Sequence, residues 1–175
     1  EVTPNPNSLK FLPAKPVSNN GSFEVTKKEE TDSELVRNLL SINGVVSVFL
    51  GADFLSINKK EDINWEDIKH IVISLINDFY STGKEFVIAN GLTREKKEEH
   101  SEIEKKIISI LETKIRPAVA KDGGDIKFRE FKDGIVKVEL QGSCSGCPSS
   151  TMTLKQGVQN LLCHYLPEVK EVVAV

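Results

Sequence analysis

Two cysteines, Cys144 and Cys147, stand in the run Gly142-Ser143-Cys144-Ser145-Gly146-Cys147-Pro148-Ser149, between a strand-like and a helix-like segment. Thiols at that spacing can converge on one metal, be bridged by one disulfide, or form half of a site that another copy of the chain completes. Pro148 suits the first turn of a helix, which places both cysteines beside a positive helix end. Unpaired N–H groups and the helix dipole there favour thiolate over thiol, so a lowered cysteine pKa and firmer metal ligation are expected. Ser143, Ser145, Ser149, Ser150 and Thr151 add short hydrogen-bonding groups, and Gly142 and Gly146 let the backbone curl around a bulky ligand.

One chain does not complete a four-ligand site. Residues 1–143 contain no cysteine, and Cys163, the third, lies sixteen positions past Cys147 along the same predicted helix. Helical geometry points it away from the Leu154, Val158, Tyr165 stripe, so a packing or surface role is expected. Two chains about a two-fold axis would bring together four thiolates. Spacing alone leaves metal or cluster binding, a redox dithiol and a structural role open. Against the redox reading, a dithiol of thioredoxin type follows a strand of a βαβ unit, whereas an antiparallel hairpin precedes this one.

The elements that must position the loop are readable from periodicity. In the second half, Ser101 and Glu104 form a Ser-x-x-Glu capping box, so a helix starts there with Ile103, Ile107, Ile110 and Leu111 on one face. Pro117 predicts a bend or break near Arg116. Ile126 and Phe128, then Val136, Val138 and Leu140, alternate around Asp133-Gly134, a hairpin signal. After the cysteines, Leu154, Val158, Leu161, Leu162 and Tyr165 share a helical face, and Val169 to Val175 forms a last strand.

In the first half, Leu9 and Phe11, then Phe23 and Val25, predict two short strands. A helix follows, capped by Asp32 or Ser33, with Leu35, Val36, Leu39 and Leu40 recurring and Gly44 as its stop. Val46, Val48 and Leu50, then Phe54, Leu55 and Ile57, flank the turn Gly51-Ala52-Asp53. Asn64 offers a cap, with Glu66 and Asp67 in the first turn of a helix whose stripe is Ile68, Ile71, Val72, Leu75, Ile76 and Phe79, ending at Gly83. A further strand is expected at Phe86 to Ile88, followed by a charged stretch. The fold class expected is α+β: two small domains, each a short, mainly antiparallel sheet packed with helices. The boundaries are 1–90, a charged linker at 91–100, and 101–175.

Composition narrows the function classes. The 175 residues are 39% hydrophobic and 28% charged with a net charge of −3, a globular profile with no general attraction for polyanions. Nucleic acid is therefore not an expected partner. No apolar run approaches the roughly 18 residues of a membrane span, so no membrane partner is expected, and Glu1 to Lys10 carries no signal or transit pattern. Three cysteines are too few for a secreted disulfide scaffold, which favours a reducing compartment. Asp122-Gly123-Gly124-Asp125 is read as a structural turn, since no P-loop lysine follows. His70, His100 and His164 are scattered, and Trp65 and Phe79-Tyr80 fit packing roles. The first domain shows no chemistry of its own.

These residues carry a resemblance. Pro117, Asp122-Gly123-Gly124-Asp125-Ile126, the cysteine loop through Thr151, and Thr153-Leu154-Lys155 resemble the C-terminal domain of NifU and the Nfu proteins. Upstream, Thr3-Pro4-Asn5-Pro6-Asn7, Lys10-Phe11, Gly44-Val45, Gly51-Ala52-Asp53-Phe54 and Trp65 resemble the N-terminal domain of two-domain Nfu proteins. The resemblance implies a non-catalytic carrier or scaffold that holds a 4Fe-4S cluster between two protomers and passes it to recipient apoproteins. It implies a homodimer through the cluster, contact with upstream cluster-assembly proteins, and Cys144 and Cys147 as ligands. It gives Cys163 no role. The compartment implied is the cytoplasm for a bacterial protein or the mitochondrial matrix for a eukaryotic one. A thiol-disulfide oxidoreductase and a zinc-bridged structural dimer are the alternatives the residues leave open.

Overall fold

The structure, a computed structural model, describes residues 1–18, 21–84, 99–145 and 147–175. The strand expected at Phe86 to Ile88 and most of the charged linker lie outside the described residues.

The first half is a four-stranded antiparallel sheet backed by two helices. Strands β1 (Ser8–Phe11), β2 (Phe23–Val25), β3 (Val45–Leu50) and β4 (Leu55–Lys59) lie in the order β1-β4-β3-β2. Helices α1 (Glu34–Leu40) and α2 (Trp65–Ser81) complete it. Ser33 is the cap of α1, its hydroxyl accepting from Val36 N at 3.4 Å. Asn64 holds the cap position of α2, but its side chain makes no capping hydrogen bond. The core is one face of the sheet against both helices: Val25, Val48, Leu50, Leu55 and Ile57 meet Leu35, Val36, Leu39, Val72 and Ile76. Each such aliphatic side chain contributes about 1.5–3 kcal/mol on burial.

Val46 departs from the expected alternation. A bulge between Val45 and Ser47 adds one residue to β3 and leaves Val46 exposed, so Val48 and Leu50 face inward and Val46 does not.

The second half runs α3 (Glu102–Ile110), a π turn (Leu111–Ile115), α4 (Arg116–Lys121), β5 (Gly124–Lys132), β6 (Ile135–Gly142), α5 (Pro148–Tyr165) and β7 (Glu171–Ala174). The capping box at α3 is present, with Glu104 N donating to Ser101 Oγ and Ser101 N to Glu104 Oε2. The bend expected near Arg116 takes the form of the π turn, after which Pro117 sits in the first turn of α4. Asp133 and Gly134 both have positive φ, 53° and 82°, the primed turn that suits a two-residue hairpin. β6 is central, antiparallel to β5 and parallel to β7. Ile107, Leu111, Val119, Ile126, Val136, Val138, Val158, Leu162 and Val172 form a second core. The fold is α+β, with two small sheets and two cores among the described residues.

The stripe of α5 is shifted from expectation. Val158, Leu162 and Leu166 are buried, whereas Tyr165 is 48% exposed. Burial follows an i, i+4, i+8 row through these three positions, and Tyr165 falls one step off it. Cys163 does not point away from the core but packs partly against it, its thiol donating to Val169 O at 3.1 Å.

Candidate functional site

The cysteine loop joins the end of β6 to the start of α5. Gly142 takes φ +68°, and a Cβ there would stand 2.6 Å from Gly123 O and 3.0 Å from a carbon of Phe49. Only glycine serves both the torsion and the approach. The backbone then closes a tight turn, Ser145 N donating to Gly142 O at 3.1 Å, while Ser143 N donates to Gly123 O at 3.2 Å. Ser143 Oγ donates to Asp122 O, and Ser145 Oγ to Gly142 O at 2.8 Å. Thr151, in the first turn of α5, donates its hydroxyl to Cys144 O at 3.1 Å. Cys147 occupies the N-cap position of α5 with extended backbone.

The two thiols occupy different environments. Cys147 is half-buried at the helix start, as the sequence led one to expect. Cys144 is 6% exposed and belongs to the second core. Its Sγ lies against Gly124, where an added Cβ would come within 2.7 Å of the sulfur. Burial pushes the Cys144 thiol up to about 11, with Asp122, Asp125 and Cys147 adding charge repulsion and a Ser143 hydrogen bond opposing. The expectation of a lowered pKa is thus reversed at this residue. Desolvation dominates because the side chain packs in the second core. None of the three cysteines is in a disulfide.

The run Asp122 to Asp125 is structural, and it does more than reverse the chain. Asp125 is 5% exposed and accepts from Arg116 Nε and Nη2, both at 2.8 Å, and from Ile126 N at 2.8 Å. Ser22 Oγ of the first half also donates to it. Gly123 and Gly124 form the floor under the cysteine loop, with Ser56 Oγ donating to Gly123 O at 2.6 Å.

The first half supplies residues that sequence reasoning assigned no role. Its sheet has a second, polar face carrying Lys10, Glu24, Ser47, Phe49, Ser56 and Asn58, residues that stand opposite one another across the ladders. This face packs on the cysteine loop. Asn58 Nδ2 donates to Gly142 O at 3.0 Å, and Asn5 Nδ2 to Ser143 O and Ser145 O at 3.1 and 3.3 Å. Glu24 accepts from Ser47 Oγ at 2.8 Å and from Gly142 N and Ser145 Oγ at 3.4 Å each. Lys10 Nζ donates to Ala120 O and Lys121 O at 3.1 and 3.4 Å. Burial raises the Glu24 carboxyl, against the hydrogen bonds it receives. The signal was present in the alternation of Leu55-Ser56-Ile57-Asn58-Lys59, whose polar members are small and uncharged except at the end.

Among the described residues no three His, Cys, Asp or Glu side chains gather where they could hold a metal ion. The histidines stand apart: His100 meets Phe128 edge-on at 5.6 Å, and His164 does the same with Tyr165 at 5.2 Å. Trp65 donates Nε1 to Pro6 O at 3.0 Å and packs beside the first core.

Residues 107–173 match the family model described as NifU-like domain, and residues 1–83 that described as scaffold protein Nfu/NifU N terminal. The human protein called NFU1 iron-sulfur cluster scaffold homolog, mitochondrial, is 44% identical over 173 residues, covering 97% of this chain and 68% of that protein. This chain belongs to the NifU-like, Nfu family. An Nfu relative in Arabidopsis thaliana, called NifU-like protein 4, mitochondrial, is 44% identical over 179 residues. That match takes in 98% of this chain and 63% of the plant protein, so the chain spans less than two thirds of that relative's length. A NifU-like protein of Saccharomyces cerevisiae, solved by NMR, is 29% identical with a TM-score of 0.45, covering 52% of this chain and 82% of the other. Among the described residues, no helix of this Nfu chain is long and apolar enough to cross a membrane.

Proposed function

We propose that this Nfu chain is a carrier whose cargo is a 4Fe-4S cluster, held by Cys144 and Cys147 of one chain and the same pair of a second. The observation that carries the reading is the pair of thiols on one loop, in a chain whose first 143 residues have no cysteine. Four thiolates therefore require two chains. The name of the human relative, an iron-sulfur cluster scaffold homolog, supports the cargo. Each ligating thiol gives up a proton as the cluster binds, and thiolates of a recipient apoprotein displace the carrier's thiolates in turn. No electron changes hands and the chain is not an enzyme. Cluster-assembly proteins load the carrier.

In this reading residues 1–90 and 101–175 are the two domains and 91–100 the linker. The compartment is the mitochondrial matrix if the source is eukaryotic, a reading supported by relatives named as mitochondrial, and the cytoplasm if it is bacterial. A Cys144 thiol held near 11 is a poor nucleophile at neutral pH, which disfavours a thiol-disulfide oxidoreductase. A zinc-bridged dimer is told apart by metal analysis. Anaerobic reconstitution is expected to give about 2 iron per chain, four irons shared by two chains, and Cys147→Ser to lose them. Full iron in that variant would overturn the ligand assignment.

A further inference from the structure

We propose that the first half is a latch on the cysteine loop, holding Cys144 inside the core while the carrier is empty and letting go when a cluster is taken up. The proposal rests on the carrier reading above. A cluster shared by two chains needs the Cys144 sulfur at a surface that both chains reach, and here that sulfur lies in the core against Gly124. The loop that would carry it outward is pinned on both sides of Cys144. Asn58 holds the carbonyl of Gly142, Asn5 those of Ser143 and Ser145, and Glu24 the amide of Gly142 and the hydroxyl of Ser145. Phe49 fills the space above Gly142, which has no side chain to compete for it. Turning the thiol outward moves these carbonyls and breaks those bonds. The closed contact and the occupied site therefore exclude each other.

The contact is built to be reversible. Most of its direct links run from polar side chains to backbone, with Glu24 to the Ser145 hydroxyl and Ser22 to Asp125 joining side chains, more like a transient interface than a core. On the same sheet face, Ser8 Oγ and Asn58 Oδ1 are buried with no partner among the described residues, a cost that ends when the face returns to water. Linkage makes the effect mutual: cluster uptake loosens the two halves, and loosening the halves favours uptake.

The test uses the full chain without iron. Cys144 and Cys163 are followed by iodoacetamide labelling and peptide mass spectrometry in the wild type and in Asn5→Ala/Asn58→Ala. Loss of the three hydrogen bonds that reach the loop, each worth about 1 kcal/mol, should speed Cys144 labelling at least about tenfold and leave Cys163 unchanged. Asn58→Asp is the companion: a carboxylate cannot donate to Ser47 Oγ or to the Gly142 carbonyl as the amide does, and the same direction is expected. Unchanged Cys144 labelling, or equal acceleration of both cysteines, overturns the latch. Hydrogen exchange on empty and iron-loaded wild type should show lost protection on loading at the Gly142 amide, which donates across the contact to Glu24. Retained protection in a chain that holds iron overturns it as well. A chain that takes up no iron defeats the carrier reading, and the labelling result then decides the latch alone.

Discussion

Gly124→Ala tests the close approach on which the site is built. A Cβ at residue 124 would stand 2.7 Å from Cys144 Sγ, 2.7 Å from Gln141 O and 3.2 Å from Cys144 N, all inside the 3.4 Å at which ordinary contacts begin. Two of these three atoms are backbone, and Gly124 pairs with Gly142 in the β5–β6 ladder, so neither side can retreat without opening it. Overpacking of this kind costs about 1–3 kcal/mol. In a domain of roughly 60–100 residues, 1 kcal/mol moves Tm by about 4–8 °C. The control is Gly157→Ala, in the exposed part of α5 with no atom within 4 Å of the added carbon. That change should stabilise by about 0.5–1 kcal/mol, since glycine is a poor helix former. Thermal denaturation followed by circular dichroism should lower Tm by at least about 4 °C for the first variant and raise it for the second. A Gly124→Ala chain as stable as wild type would refute the packing argument, and a less stable Gly157→Ala would refute the account of α5.

Two further predictions concern charge. Asp125→Asn removes the carboxylate that receives both Arg116 nitrogens and the Ser22 hydroxyl, at a position 5% exposed. It should cost on the order of 1–3 kcal/mol by urea unfolding with an unchanged slope, and a change under about 0.5 kcal/mol would contradict the role given to the pair. Glu24 has its carboxyl raised above 4.5 by burial, so the folded chain keeps a proton there that the unfolded chain has lost. Its contribution to stability is therefore full below the unfolded value and falls as pH rises through the folded one. Glu24→Gln lacks this loss. Its stability relative to wild type should grow between pH 4.5 and neutrality, and a gap that stays constant or shrinks would show the carboxyl to be ordinary.

Much of the fold could be read because its determinants are local. Ser33 and the Ser101–Glu104 pair cap the helices their positions implied, and Asp133-Gly134 makes the turn its torsional freedom suggests. What could not be read depends on partners far along the chain. The polar alternation of β1 and β4 indicates a half-wet sheet, yet Ser56 and Lys10 are buried because the second half covers them. One extra residue in a bulge puts Val46 outside the strand alternation, and Tyr165 stands one step off the buried row of α5. The location of the cysteines at the start of α5 followed from Pro148, whereas the direction of the Cys144 sulfur depended on the space left by Gly124. Gly123-Gly124 announces a turn in any context and its role as the floor of the loop only in this one.

The central claim is that the site is half a site. Native mass spectrometry of the anaerobically reconstituted full chain tests it most directly, because mass, iron and sulfide are read on the same particle. The account predicts two chains carrying four iron and four sulfide, and two separate chains after the cluster is removed by chelation. A single chain that holds a complete cluster, or a dimer that holds zinc and no sulfide, would contradict it.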